Sequence, residues 1–408
     1  MPQCRIRAVF MRGGTSRALF FHAADLPPDP RERDRILLAA LGSPDPYGRQ
    51  LDGLGGGISS LSKAVIVGPP SHPQADVDYT FAQVDVREPL VDYKGNCGNC
   101  TSAVGPFAID ERLVPAVEPI TTIRLYNTNT KKLVVARVPV AGGEAAVEGD
   151  LELQGVPGSG ARIALDFLDP GGAVTGKLLP TGRPSDTLEV SGFGAMEASL
   201  VDATNPMVFV RAKDLGLLGT EAPEAIDRDG ALLSRLEAIR VAGAALMGVP
   251  GSPAIPKVVF VAPSASYRAL DGREIVAREV DLVARVMSMG KCHRAFALTA
   301  AMCLAVAARL DGTVAWESIS PSPITPSPYP SAPSPHPSPP PGERTEVRGE
   351  RTGEGDLRLG HPSGILPIAA LVERNASGAP VARQVTVYRT ARRLMEGFIR
   401  IPEARRSE

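Results

Sequence analysis

The run Gly95-Asn96-Cys97-Gly98-Asn99-Cys100-Thr101-Ser102 constrains this chain more than any other stretch. It sets a thiol among glycines and asparagines and leads into small residues, Ala103 and Val104, that can open a helix. Glycine lets the backbone approach a ligand closely or take positive φ. A helix start offers unpaired N–H groups and partial positive charge, which suit a carboxylate and lower the pKa of a nearby thiol. Cys97 is therefore a candidate to lie over a small acidic substrate, with the rest of the chain building the walls. Two plainer readings stand beside it. A free cysteine is often a small buried hydrophobe. Cys97 and Cys100 also make a C-x-x-C spacing, which serves redox or metal chemistry elsewhere. A structural zinc site wants a second ligand pair, and Cys292, His293 and Cys303 do not make one, so no metal is expected.

Composition removes several classes. The 408 residues leave room for two ordinary domains, and 43% of them are hydrophobic, enough for a real core. The net charge is −1 and no basic block interrupts the first three hundred residues, which argues against nucleic acid as partner. Five cysteines, an odd number without a regular framework, suit a reducing compartment. The start, Met1-Pro2-Gln3-Cys4-Arg5-Ile6, lacks the apolar region of a signal peptide. The most apolar run, Phe296 to Ala308, falls short of the roughly 18 residues a spanning helix needs. A cytoplasmic protein without membrane contact is expected.

Strand-like segments fill the first half of the chain. Residues 5–10 and 18–21 flank a loop, Met11-Arg12-Gly13-Gly14-Thr15-Ser16-Arg17, whose hydroxyls and arginines can hydrogen-bond an anion, although a glycine pair between strands is usually only a tight turn. Residues 31–41 read as a helix. The loop Asp52 to Ser62 carries three consecutive glycines, Gly55-Gly56-Gly57, without the G-K-[ST] ending of a phosphate-binding loop. Lys63 then opens an apolar strand. It is either a solvated strand end or, if enclosed, a base, because desolvation disfavours the ammonium. Residues 77–86 alternate as a half-buried strand, residues 102–109 read as a short helix that Pro106 makes awkward, and residues 123–126, 133–138 and 145–147 read as strands.

Residues 176–186 read as a crossing between domains. Strands are expected at 188–190, 199–201, 207–210 and 256–262, and helices at 232–247 and 293–310. Asp202 and Asn205 read as turn formers, and His293 as a capping or core histidine. Residues 321–341 hold eleven prolines, largely alternating with serine. Such sequence cannot build a packed core, so 318–355 is expected to be a disordered surface insertion. Beyond it, the polar loop Gly360-His361-Pro362-Ser363-Gly364 parallels the Cys97 loop in type and hints at an internal repeat, residues 384–388 form a last strand, and Arg389, Arg392 and Arg393 read as a solvated basic edge.

Taken together, residues 11–16, 52–63, 95–109, 179–182, 202–210, 289–314, 360–364 and 389–397 resemble the PrpF family, the 2-methylaconitate cis-trans isomerases, with the methylitaconate and 4-oxalomesaconate isomerases. The resemblance spans nearly the whole chain outside the proline-rich segment. It implies an α/β (α+β) fold of the diaminopimelate epimerase type, in which two similar domains each wrap a curved sheet around a central helix and the active site lies between them. The domains expected are 1–185, completed by 384–408, and 186–383. The resemblance also implies that Lys63 is the reactive lysine and that Cys97 and Ser16 occupy family positions. Related epimerases use a cysteine from each domain, and the second domain's corresponding loop here is expected to be His361 to Gly364, with no thiol.

The reaction implied moves a proton allylic to a C=C bond in a small unsaturated di- or tricarboxylic acid, a tautomerase or cis-trans isomerase chemistry that calls for no cofactor. Lys63 is expected to take the proton with Cys97 facing it. Thr15, Ser16, Asn96, Gly98 and Asn99, with Ser363 and Gly364 from the later loop, are expected to hold carboxylates and the developing charge. Two alternatives are an amino or hydroxy acid racemase-epimerase of the same fold, and a non-enzymatic accessory protein to an aconitase-like dehydratase. A homodimer and an aconitase-like partner enzyme stay open at this level.

Overall fold

The computed structural model describes residues 3–93, 96–249, 255–288, 290–319, 325–326 and 355–403. Gly95 and nearly all of the expected insertion at 318–355 lie outside the described residues. The chain divides into two compact units, one running to Phe167 and resuming at Tyr388, the other covering Leu168–Val387.

In the first unit, β1 (Gln3–Gly13) turns back as β2 (Ser16–His22). Helix α1 (Pro30–Leu41) follows, with Asp29 accepting from the Arg31 amide at its start, Pro30 in the first turn and Gly42 at φ 77° ending it. Then come β3 (Lys63–Gly68) and β4 (Val77–Val84), helix α2 (Gly98–Asp110), and the strands β5 (Ile120–Asn127), β6 (Lys132–Ala141) and β7 (Ile163–Leu168). The final strand, Ala391–Pro402, pairs antiparallel with β1. It is a full strand where the sequence suggested only a basic edge, and its charge is partly consumed: Arg393 joins Arg7 and His22 around the carboxylate of Glu111.

Alternation along β2 supplies both faces of this sheet. Leu19 and Phe21 pack with Ile36, Leu37 and Leu41 of α1, while Phe20 meets Phe107 of α2 at 5.5 Å between ring centroids. Helix α2 touches β1 through β6 and the final strand, so the sheet wraps around it. Every residue from Cys100 to Ile109 is buried. That enclosure explains the difference from the short helix expected at 102–109. The helix starts four residues earlier, at the point where Cys97 leaves extended backbone, and it runs through Pro106, whose interior cost of about 3 kcal/mol is offset by burial on every side.

The second unit holds β8 (Asp186–Val190), β9 (Gly194–Ala203), β10 (Asn205–Arg211), helix α3 (Gly230–Met247), β11 (Lys257–Pro263), β12 (Leu282–Ser288), helix α4 (Leu298–Ala307), β13 (Gly355–His361), β14 (Gly364–Arg374) and most of β15 (Pro380–Arg389), whose last two residues, Tyr388 and Arg389, belong to the first unit. Leu236 and Ile239 of α3 share a core with Val208, Val210, Val258 and Phe260. Helix α4 packs on β9, β10 and β14 and is buried from Ala300 to Ala307.

The two units repeat one plan. In the first, successive neighbours from the final strand through β1 to β7 pair antiparallel, antiparallel, parallel, antiparallel, parallel, antiparallel, antiparallel. From β8 to β15 the second unit shows the same series. Helix α2 therefore matches α4, and the N-cap Cys97 matches the N-cap Ala297. This corrects the expected parallel between His361–Gly364 and the cysteine loop. Those residues form the hairpin turn between β13 and β14, where His361 pairs with Gly364. The segment that leads into α4 is instead 293–297, which explains why that helix begins at Leu298 and not at His293. His293 acts there as a turn former, its Nδ1 accepting from the Ala295 amide at 3.1 Å.

Asp202, expected as a turn former, lies fully buried in β9, where its Oδ2 accepts from the amides of Val174 and Thr175. Among the described residues no helix is long and apolar enough to cross a membrane.

Candidate active site

The glycine loop before β3 is packed, not open. A Cβ on Gly53 would come within 2.1 Å of the Gly42 nitrogen, and one on Gly55 within 2.2 Å of the Gln50 side chain. Folding the loop onto Gln50 lets the Gln50 amide reach Ser43 and Ser62 (2.8 and 2.7 Å), and Ser62 in turn donates to the Val84 carbonyl. This bracing fixes the next residue, Lys63. Its side chain is enclosed, 7% exposed. Its Nζ donates to Gln83, the cross-strand partner in register, and lies 5.1 Å from the Phe81 ring centroid. The reading of Lys63 as a solvated strand end is thereby excluded.

Cys97 caps α2 with extended backbone, φ −117° and ψ 100°. The Thr101 amide closes the first turn on the Cys97 carbonyl at 2.9 Å, which leaves the amides of Gly98 and Asn99 at the head of the helix, where no intrahelical partner exists. Asn96 holds the approach: its Oδ1 accepts from the Cys97 amide (2.7 Å) and its Nδ2 donates to the Tyr79 hydroxyl (3.1 Å). Tyr79 is also within 3.1 Å of the Thr101 hydroxyl. Burial pushes its phenol up to about 12, so it stays protonated. The hydroxyl thus ties the loop to the first helical turn. Tyr79→Phe is expected to destabilise the first unit by about 1 kcal/mol and to speed alkylation of Cys97, as read by thermal unfolding and peptide mapping.

The thiol's environment favours ionisation. A hydrogen bond from the Cys100 thiol pulls Cys97 well below the ordinary thiol range; burial opposes this, while the Lys63 charge, the Cys100 amide and the Ser16 hydroxyl reinforce it. Cys100 moves the other way, because it donates to Cys97 and is itself buried. The pair therefore carries one thiolate and one thiol. This gives Cys100 a role as hydrogen-bond donor in addition to packing. Among the described residues no group of three or more His, Cys, Asp or Glu is arranged to hold a metal ion.

The turn between β1 and β2 closes over the helix start. A Cβ on Gly13 would sit 2.4 Å from the Asn99 carbonyl oxygen, and one on Gly14, at φ 52°, 2.2 Å from Asn99 Oδ1. Only glycine permits so close an approach at both positions. Asn99 Nδ2 donates to Thr15 at 3.1 Å, and Ser16 is buried against Cys97. The two loop arginines have partners within the protein. Arg12 donates to the carbonyls of Gly14 and Thr390, and Arg17 lies over the Phe10 ring.

Thr15, Ser16, Lys63, Asn96, Cys97, Gly98 and Asn99 thus come together in the first unit. Ser363 and Gly364 belong to the second. There the Ser363 hydroxyl donates to the Arg294 carbonyl (2.7 Å), and the Tyr267 hydroxyl bridges the carbonyls of His361 and Gly364. Three residues of the site escaped sequence reasoning. Tyr79 and Gln83 share one face of β4 with Phe81, and that i, i+2 line opposite Lys63 was the available signal. The third, Arg389, read as part of a solvated edge, is 5% exposed and donates from Nε to Asn99 Oδ1 at 3.1 Å.

The chain is similar to known proteins over nearly its whole length. The family model described as PrpF protein matches residues 3–324. The chain is 40% identical to a 3-methylitaconate isomerase of Eubacterium barkeri, covering 99% of each sequence. It is 38% identical to a 2-methyl-aconitate isomerase of Shewanella oneidensis, covering 98% of each. The crystal structure of a methylitaconate-delta-isomerase superposes with a TM-score of 0.85 at 40% identity, covering 100% of this chain and 98% of that one. The chain belongs to the PrpF family of isomerases.

Proposed function

We propose that the chain moves a proton allylic to a C=C bond in a small unsaturated di- or tricarboxylic acid, with Lys63 and Cys97 as the proton-transfer pair. The observation that carries this reading is the enclosure of Lys63, whose charge helps to make the Cys97 thiol at the head of α2 acidic. An allylic C–H next to a carboxylate-conjugated double bond is acidified, because the electron pair left behind delocalises toward the carboxylate. In the form where the proton shared by Lys63 and Cys97 sits on sulfur, the neutral Lys63 amine takes the allylic proton and returns it to the same carbon or to the far carbon of the allyl system, which lets the geometry change or shifts the double bond. The amides of Gly98 and Asn99 hold the charge that develops on the carboxylate oxygens, and the hydroxyls of Thr15 and Ser16, with the Asn96 amide, orient the substrate. The five free cysteines suit the reducing cytoplasm as its place of action.

One observation favours a second assignment within the same reaction. The Cys100 hydrogen bond makes Cys97 an acidic thiol, so its thiolate can accept the proton with Lys63 as its partner. Lys63→Ala and Cys97→Ala separate the two, since the residue that contacts the migrating proton is the one whose loss stops exchange with solvent. The racemase alternative finds less support: Ala297 stands at the helix start that matches Cys97, and a cysteine-pair mechanism needs a thiol there. Incubating 2-methylaconitate, methylitaconate, 4-oxalomesaconate and aconitate with the protein in deuterated water, followed by proton NMR, tests the reading. Deuterium at the allylic carbon and a shifted or isomerised double bond are expected for at least one acid. No incorporation into any of them overturns it.

A further inference from the structure

Arg389 carries a charge that the fold buries without an acid to meet it. Its Nε donates to Asn99 Oδ1 at 3.1 Å and its Nη1 to the Tyr388 carbonyl at 2.7 Å. Among the described residues no carboxylate stands within ion-pair distance of it, whereas the half-buried Arg137 meets Asp166 and Arg358 meets Asp281. Burying an unpaired guanidinium is costly, and the fold even leaves room for it: the nearest contacts of a Cβ on Gly14 include Asn99 Oδ1 and the Arg389 Cδ. The bond to Asn99 holds the guanidinium at the first turn of α2, two residues from the N-cap Cys97, and the Cys97 thiolate favours its charge.

We infer that Arg389 is a positioning residue of the cysteine site: its fixed charge holds Cys97 as the thiolate, and its hydrogen bond turns the Asn99 carboxamide so that Nδ2 faces Thr15. This deepens the proposed function and rests on Cys97 being part of that site. The groups facing the sulfur are Lys63 from β3, Ser16 from β2, Tyr79 from β4, Cys100 and the helix start of α2, and Arg389 from β15. Lys63 also acts on the thiolate as a positive charge.

The test needs no turnover. The rate of iodoacetamide alkylation of Cys97 in the full-length protein, followed by peptide mass spectrometry against pH, reports the thiolate fraction. Removing a positive charge raises a thiol's pKa, so Arg389→Gln is expected to move the midpoint up by about one pH unit. Lys63→Met should also move it up. Arg12→Gln should leave it in place, because that guanidinium is spent on backbone carbonyls. Arg389→Lys restores the wild-type midpoint. An unmoved midpoint in Arg389→Gln, or alkylation faster by the same factor at every pH, would show a merely structural arginine and overturn the inference. If Arg389→Gln does not fold, Arg389→Met is read by the same criterion: an upward shift of the midpoint supports the inference, and an unmoved one overturns it. Should the acid panel show no exchange while the midpoint moves as stated, the proposed reaction falls and the role of Arg389 stands.

Discussion

Replacing Lys63 with alanine is expected to lower turnover by about 10²–10⁴-fold and to stop deuterium exchange into the substrate, with the protein still folded. The fold survives because β3 is held by its backbone and by Ala64, Val65, Ile66 and Val67, all buried. What the substitution leaves behind is the Gln83 carbonyl without its donor, worth about 1 kcal/mol, and that carboxamide keeps its own bonds to the carbonyls of Ser59 and Ser62. A loss of activity would therefore come from the missing amine. The measurement is proton NMR in deuterated water beside a thermal melt. Wild-type exchange in a folded Lys63→Ala protein would take the lysine out of the reaction and leave Cys97 as the proton acceptor. Cys97→Ala supplies the complementary result, since the thiolate assignment predicts that exchange stops there instead.

Much of this arrangement was legible in the residues, for reasons that differ by element. The strand alternation of 77–84 and the capped helix at 31–41 are local signals, set by side chains within a few positions of each other. Gly13 and Gly14 were legible as a turn and the 55–57 run as backbone that must bend sharply or lie against something, though not what either loop meets: Asn99 in one case, Gln50 and Gly42 in the other. The start of α2 was hidden because Gly98 and Asn99 are weak helix formers and Pro106 argues against any helix there. Burial inside a wrapped sheet overrides those propensities. Arg389 was hidden for the same kind of reason. A cluster of arginines is solvated by default, and only burial in the folded chain shows that the first of the three is enclosed while Arg392 stays exposed. The loop at 360–364 misled because glycine and serine mark hairpin turns as readily as helix starts. Strand pairing, which no local pattern encodes, assigns that loop to a hairpin.

The wrapped helix also separates what holds the unit together from what reacts in it, and Phe107→Ala tests that separation. Phe107 is fully buried, with ring contacts to Phe20 at 5.5 Å and His22 at 5.1 Å. It lies nine residues beyond Gly98, about 13 Å along the helix at 1.5 Å per residue. Truncating a buried phenylalanine removes its transfer free energy and opens a cavity that a helix enclosed by strands cannot collapse to fill, so a loss of about 3–5 kcal/mol is expected. In a unit of this size that lowers the melting temperature by roughly 10 °C. The molecules that remain folded should keep the wild-type pH dependence of Cys97 alkylation, because Lys63, Cys100, Ser16 and Arg389 are untouched. A shifted alkylation midpoint with little loss of stability would mean that the far end of α2 sets the charge at its start, and the site would then have to be described as extending along the whole helix.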